Sequence, residues 1–332
     1  TCSFLMSAVE EGIETTLSLV AEKLEDGITC PIVMAGCIPA RYGDEIEHEM
    51  PDVAAFVPCK REDEICSVLK RVLGVEERTQ AAPEVVRTVQ AAFAYVKISD
   101  GCDRFCSYCI IPFARGSVRS RRPSEILKEA ESLVRAGFKE LILTGINAAL
   151  YGTEQGFVCD IDDTDIENMH GIEIIIHLLD KMPGDFRIRL SSLEPTAVNS
   201  GYVKRLLEYD RLCHHLHLSI QSGSSSIISA MNRNYTREDY LDIVKVLRDK
   251  DLHYGITTDI IVGFPGETDE DFADSMNMVR EADFLKVHAF QYSKRKGTAA
   301  ALMENQIEPQ VKKSRSAALI AEADRVSKEF MT

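Results

Sequence analysis

Short apolar runs alternate along the chain with longer stretches whose apolar residues recur every three or four positions. Ala8 to Leu24 has helical spacing, and Pro31 to Ala35 is a short apolar run that ends at Gly36-Cys37. Tyr42 to Met50 again reads as helix, Val53 to Val57 as a buried strand, and Glu62 to Leu73 as a closing helix. Buried strands alternating with amphipathic helices predict a parallel sheet with helical crossovers. Residues 1–75 are therefore expected to form a small α/β domain. The stretch from Gly74 to Val89 is polar, lacks periodicity and contains Pro83, so residues 76–92 are expected to be a linker.

From Phe93 onward the alternation becomes regular. Strands are expected at Ala94–Ile98, Glu140–Leu143, Arg187–Leu190, His215–Ile220, Tyr254–Val262 and Leu285–Phe290. Helical spacing falls between them at Ser124–Ala136, Ile172–Met182, Tyr202–Glu208, Arg237–Asp249 and Glu270–Ala282, with Glu308–Phe330 last. Six such units predict an open (β/α) partial barrel over residues 93–332, smaller than the closed eight-fold form. Chemistry in such folds gathers at the C-terminal ends of the strands.

Composition narrows the class. The chain has 332 residues, 45% hydrophobic and 27% charged, as in an ordinary globular protein. No apolar run approaches the roughly 18 residues that cross a bilayer. With no basic-then-apolar leader, a cytoplasmic location and no membrane partner are expected. The first residues are Thr1-Cys2-Ser3, without Met, so a longer parent protein is expected. A net charge of −15 argues against a chain that coats nucleic acid along its whole surface. Locally, Arg115, Arg119, Arg121 and Arg122 cluster after the cysteine loop, as either a solvated face or a phosphate-binding run.

Of ten cysteines, three are closely spaced: Cys102, Cys106 and Cys109, within the stretch Lys97 to Gly116 (KISDGCDRFCSYCIIPFARG). Closely spaced cysteines in a reducing compartment point to metal or redox chemistry. A structural zinc site normally wants four closed ligands. Three thiolates can instead hold a four-iron cluster and leave one iron open. The amino and carboxylate groups of S-adenosylmethionine (SAM) can chelate that iron. A zinc knot, or three unrelated buried thiols, is the non-enzymatic alternative.

Longer motifs carry a family resemblance. Gly101-Cys102, Ile110–Gly116 (IIPFARG), Ser120-Arg121, Leu143–Asn147 (LTGIN) with Tyr151-Gly152, His217–Ser224 (HLSIQSGS), Met231–Thr236 (MNRNYT) and Asp259–Thr268 (DIIVGFPGET) form one set. Together they resemble the methylthiotransferase branch of the radical SAM superfamily, from residue 1 to about 330. The resemblance implies a radical SAM partial barrel with a [4Fe-4S] cluster on Cys102, Cys106 and Cys109, and SAM on the open iron. It also implies that Tyr108 lies near the SAM adenine and that Gly263 and Gly266 bring backbone beside it. Asn147 would stand near the methionyl amine. Gln221 and Ser192, at expected strand ends, have groups suited to ribose or carboxylate hydrogen bonds. His215 and His217 point to one face of a strand and are expected to be hydrogen-bonded core residues.

Members of this branch carry an auxiliary four-iron cluster on three further cysteines. Cys2 and Cys37 resemble the second and third of these, and the first would lie upstream of Thr1. A C-terminal RNA-binding TRAM domain, usual in the branch, lies outside this sequence. The implied reaction inserts a methylthio group at an unreactive carbon. It calls for an electron donor such as flavodoxin or ferredoxin, and for a sulfur donor. The stretch Ser191–Thr196 (SSLEPT) with HLSIQSGS and MNRNYT favours tRNA as partner, at threonylcarbamoyladenosine beside the anticodon. The opening residues and YVKISDGCDR favour the alternative, an aspartate of ribosomal protein S12. Isopentenyladenosine of tRNA is a third substrate, and a cobalamin-dependent radical SAM methylase is an enzyme rival.

Overall fold

The structure is a computed structural model that describes residues 1–75 and 92–332. The expected linker, 76–92, lies almost wholly outside the described residues. The chain divides into two compact units. The smaller is Thr1–Gln90 with Cys109–Gly116, and the larger is Ala91–Tyr108 with Ser117–Thr332.

In the smaller unit, β1 (Val33–Gly36) runs parallel to β2 (Ala55–Pro58), with Val33 opposite Ala55 and Gly36 opposite Pro58. The long helix α1 (Met6–Glu25) precedes them, and α2 (Cys37–Tyr42) and α3 (Asp44–Glu49) connect them. Val9, Met34, Ile38, Ile46, Met50 and Val53 make the core. The helix expected over Tyr42–Met50 is α3, and a short helix that the pattern does not show, α2, precedes it across Gly43, at φ +48. A short 3₁₀ turn leads into α4 (Ile65–Leu73), which ends at Gly74 in the left-handed conformation with its N–H bonded to the preceding turn. The segment α5 (Ile111–Arg115) packs on α2.

In the larger unit, β3 (Phe93–Lys97), β6 (Glu140–Thr144) and β7 (Arg187–Leu190) form one parallel run. A second parallel run contains β8 (Ser192–Leu193), β9 (His215–Leu218), β10 (Gly255–Val262) and β11 (Lys286–Gln291). A parallel bridge from Ile188 to Leu212 joins the two. Since β8 continues β7 past Ser191, six strand positions result, the number the alternation predicts. Among the described residues β3 does not pair with β11, so the barrel is open. The short β4 (Ser99–Asp100) and β5 (Arg119–Ser120) pair antiparallel beside β3.

Strand alternation sets the two faces. Ala94 and Val96, Leu141 and Leu143, Ile188 and Leu190, and Leu216 and Leu218 are buried in one core. The helices supply Ile126 of α6 (Pro123–Arg135), Ile175 of α7 (Glu173–Asp180) and Val203 of α8 (Ser200–Leu206). Ile228 of α9 (Ser225–Ala230), Ile243 of α10 (Arg237–Lys250), Met278 of α11 (Asp269–Ala282) and Leu319 of α12 (Pro309–Phe330) complete it. Each fully buried Leu or Ile contributes roughly 1.5–3 kcal/mol. The opposite face carries polar residues, with Asp259 opposite His288 and Thr257 opposite His217 across neighbouring strands. Capping boxes start α10 (Thr236 with Asp239), which follows α9, and α11 (Thr268 with Asp271), which follows the loop after β10.

Candidate active site

The cysteine loop leaves the end of β3 through Asp100, whose Oδ1 accepts the Gly101 N–H at 2.8 Å while Lys97 pairs with Oδ2 at 2.8 Å. Asp103 accepts the Val118 N–H at 3.1 Å. Ser107 donates its N–H to Met231 and its hydroxyl to Ala230, and accepts from Ala300. These bonds hold Cys102 and Cys106 at the strand ends, both buried. Burial raises both thiol pKa values, and Glu194 and Arg233 act on both with opposite sign. The unit boundary falls between Tyr108 and Cys109, and the half-buried Cys109 belongs to the smaller unit.

Beside the two buried thiols lies a charged network drawn from several strand ends. Glu194, 3% exposed, has Arg104 Nε at 2.6 Å and Arg233 Nη1 at 3.1 Å. It also accepts from Asn147 Nδ2 at 3.1 Å and Thr196 Oγ1 at 3.0 Å. Arg233 donates to the Tyr108 hydroxyl at 2.9 Å, and Arg295 donates to the Tyr108 carbonyl at 2.7 Å. Burial works against the Arg233 charge, but Tyr108, Tyr235, Cys106 and Glu194 outweigh it and hold its pKa well above the ordinary value.

Among the buried polar atoms here that have no hydrogen-bond partner are Asn147 Oδ1, Ser191 Oγ and Arg233 Nε. An orphaned buried polar atom is costly, and such atoms are rare unless a ligand or water completes them. Two acceptors and a cationic donor beside thiols suit a zwitterionic amino acid moiety, as SAM presents. The donor set therefore fits both the thiolate-held cluster and its SAM.

The other expected residues gather at the same end of the larger unit. Gln221, at φ +70, donates its N–H to Asp259 and accepts from Ile261, continuing β9 beside β10. Gly263, at φ +69, opens the loop after β10, where a Cβ would run into the Lys312 side chain. Glu267 Oε2 accepts the Gly263 N–H at 2.7 Å and pairs with Arg315 Nη1 at 2.6 Å. The Gly266 N–H bonds to Asn305 at 3.0 Å. Ser192 lies within β8, paired to His217, and it is its neighbour Ser191 that carries the unsatisfied hydroxyl. His217 bonds Thr257 at 2.9 Å and Asp259 at 3.1 Å, and His215 bonds Thr257 at 3.2 Å. Of the arginine run, Arg121 is committed to Glu129 and the Lys97 carbonyl, while Arg119 and Arg122 are exposed.

In the smaller unit, Cys37 is the first residue of α2, and its N–H bonds to the Thr1 carbonyl at 3.0 Å. The Thr1 hydroxyl donates to Ala35 at 2.9 Å. Gly36 permits this approach, because at φ +118 a Cβ would meet the Thr1 carbonyl oxygen at 2.5 Å. The Cys2 and Cys37 segments are thereby held side by side.

Sequence reasoning missed Glu194, Arg233, Arg104 and Asp259 as site residues. All four stood inside quoted motifs, yet their significance depends on partners from other parts of the fold. Residues 96–279, more than half of the chain, match the radical SAM superfamily. The chain is 40% identical over 237 residues to the threonylcarbamoyladenosine tRNA methylthiotransferase MtaB of Bacillus subtilis, covering 71% of this chain and 50% of that one. To the Thermotoga maritima MtaB it is 36% identical over 304 residues, 89% of this chain and 67% of that one. To the tRNA-2-methylthio-N(6)-dimethylallyladenosine synthase of Alkaliphilus oremlandii it is 42% identical over 236 residues, 71% and 48%. The chain thus spans about half to two thirds of the length of these relatives. A solved structure of TsrM, a radical SAM methyltransferase from Kitasatospora setae, superposes with TM-score 0.62 at 14% identity, over 86% of this chain and 59% of that one, a likeness of fold.

Proposed function

Because the chain belongs to the radical SAM superfamily, in its methylthiotransferase branch, we propose that it is the catalytic part of an enzyme that inserts a methylthio group into N6-threonylcarbamoyladenosine of tRNA. The observation that carries this reading is the set of orphaned polar atoms beside Cys102 and Cys106 in a barrel related to the two MtaB proteins.

Cys102, Cys106 and Cys109 would hold a [4Fe-4S] cluster, and Cys2 and Cys37 would supply two ligands of an auxiliary one. When bound, the first cluster with SAM supplies reductive cleavage of the sulfonium and a carbon radical that takes a hydrogen atom. The chain supplies position and shelter. Arg233 Nε would meet the SAM carboxylate, and Asn147 Oδ1 the ammonium. Glu194 holds Arg233 and Asn147 in place from the far side. The buried ring of Tyr108, fixed through its hydroxyl and its carbonyl, and the Gly263–Gly266 backbone would border the adenine. Burial of both thiols keeps water from the reacting centre. A one-electron reductant and a sulfur source are required as partners.

The resemblance to the dimethylallyladenosine synthase supports a second reading, with isopentenyladenosine as substrate. Nucleoside mass spectrometry of tRNA separates them, using a source strain with and without the full gene. Loss of the methylthio form of threonylcarbamoyladenosine, with its parent accumulating, is expected. Loss of the methylthio form of isopentenyladenosine would establish the second reading, and unchanged tRNA with a lighter ribosomal protein S12 would overturn both.

A further inference from the structure

A cavity of about 380 Å³ opens within the larger unit, at the strand ends that carry the thiol loop. That size lies at the small end of the ~300–1,000 Å³ usual for small-molecule sites. Separate stretches of chain build it: Asp103 and Arg104 directly after Cys102, Ala149 and Leu150 after β6, His170 before α7, and Ala197 after β8. Tyr202 of α8 closes one wall. Its hydroxyl donates to the His170 carbonyl at 2.9 Å and accepts the Glu173 N–H at 3.0 Å, and its ring centre lies 5.5 Å from that of His170.

The polar groups of this cavity are only partly committed. Arg104 meets Glu194 through Nε at 2.6 Å, and among the described residues its Nη1 and Nη2 make no hydrogen bond. The ring nitrogens of His170 make none either, and Asp103 engages only Oδ2, on the Val118 N–H. Glu194 Oε2 meets both Arg104 and Asn147, so one carboxylate links the cavity to the atoms assigned to SAM.

We propose that this cavity takes the amino-acid end of the N6 substituent of the substrate nucleoside, with its carboxylate on Arg104 and His170. The side-chain hydroxyl of a threonylcarbamoyl group then donates to Asp103 Oδ1, and its methyl group packs on Ala149 and Ala197. This rests on the threonylcarbamoyladenosine reading given above and supplies its specificity. An isopentenyl group has no polar atom, and would cover Arg104 and His170 without giving them a partner, which is unfavourable.

The test uses the anaerobically reconstituted holoenzyme and two anticodon stem-loop RNAs, one with threonylcarbamoyladenosine and one with its carboxylate methyl-esterified. RNA affinity is read by fluorescence anisotropy and SAM affinity by equilibrium dialysis. The wild type should bind the acid about tenfold or more tighter than the ester, the scale of one hydrogen bond to a charged group. Arg104→Met should erase that preference, and His170→Ala should reduce it at unchanged iron content and SAM affinity. Since Arg104 also pairs with Glu194, His170→Ala decides alone if Arg104→Met does not take up iron. A wild type that binds acid and ester equally overturns the proposal, and so do variants that keep the full preference. An Arg104→Met protein that keeps the preference but loses SAM affinity assigns the cavity to SAM and overturns it too. Methylthiolation of the acid RNA without any preference for it would leave the functional reading standing and remove only the proposal. Methylthiolation of an isopentenyladenosine stem-loop instead would overturn both.

Discussion

Arg233 donates to the hydroxyl of Tyr108 at 2.9 Å, tying the loop after α9 to the aromatic that stands between the second and third loop cysteines. The same guanidinium reaches Glu194 at 3.1 Å, so one buried ion pair joins the end of β8 and the loop after α9 to the cysteine loop. Arg233 and Glu194 both act electrostatically on Cys102 and Cys106.

Replacing Arg233 with Met should cost about 3 kcal/mol of stability, because Glu194 keeps its burial and loses a partner. SAM affinity should fall with it. Arg233→Lys keeps the charge but loses the planar fork, so it should recover more stability than SAM binding. Urea unfolding and equilibrium dialysis on the two variants check the split.

The two sets of cysteines should separate two activities. Ala at Cys102, Cys106 or Cys109 should abolish SAM cleavage and remove the iron bound at that site. Ala at Cys2 or Cys37 should leave 5′-deoxyadenosine formation intact and abolish methylthio transfer. Iron and sulfide analysis together with product chromatography reads both effects.

Glu267→Ala should destabilise by about 3 kcal/mol, since the buried Arg315 would keep only the exposed Asp269 as counter-charge. The Gly263 N–H loses its acceptor as well, so the loop after β10 should loosen. Faster amide exchange at residues 263–268 would register this, with exchange in β9 unchanged.

Much of the larger unit was legible because its strands are buried runs and its helices long enough to show a period. The expected bounds of Arg187–Leu190 coincide with β7. The helices α2, α5 and α9 were not legible, since five or six residues hold less than two turns. The cysteine loop could be read from spacing alone, because its ligands are neighbours in sequence. Glu194 could not be read that way. Its partners Arg104, Asn147 and Arg233 come from separate loops and meet only when parallel strands bring their ends together.

Protonation of His215 should weaken the fold. Burial and nearby Arg189 lower its pKa to about 4, so the ring is neutral in the folded protein. The unfolded chain takes up this proton below about 6.5. Its contribution is therefore present above that pH and lost as pH falls toward 4, because the unfolded state then binds more protons. About 2 kcal/mol is at stake after allowance for partial exposure. His215→Gln should flatten the pH dependence of unfolding between those limits, and the imidazole should titrate near 4 by NMR.

The most direct test of the central claim is anaerobic reconstitution of the protein with iron and sulfide. It is then incubated with SAM, a low-potential reductant and a stem-loop RNA containing threonylcarbamoyladenosine. The expected result is 5′-deoxyadenosine together with the methylthio nucleoside, both absent in Cys106→Ala. Zinc in place of iron, or a fully iron-loaded protein that leaves SAM uncleaved, would contradict it.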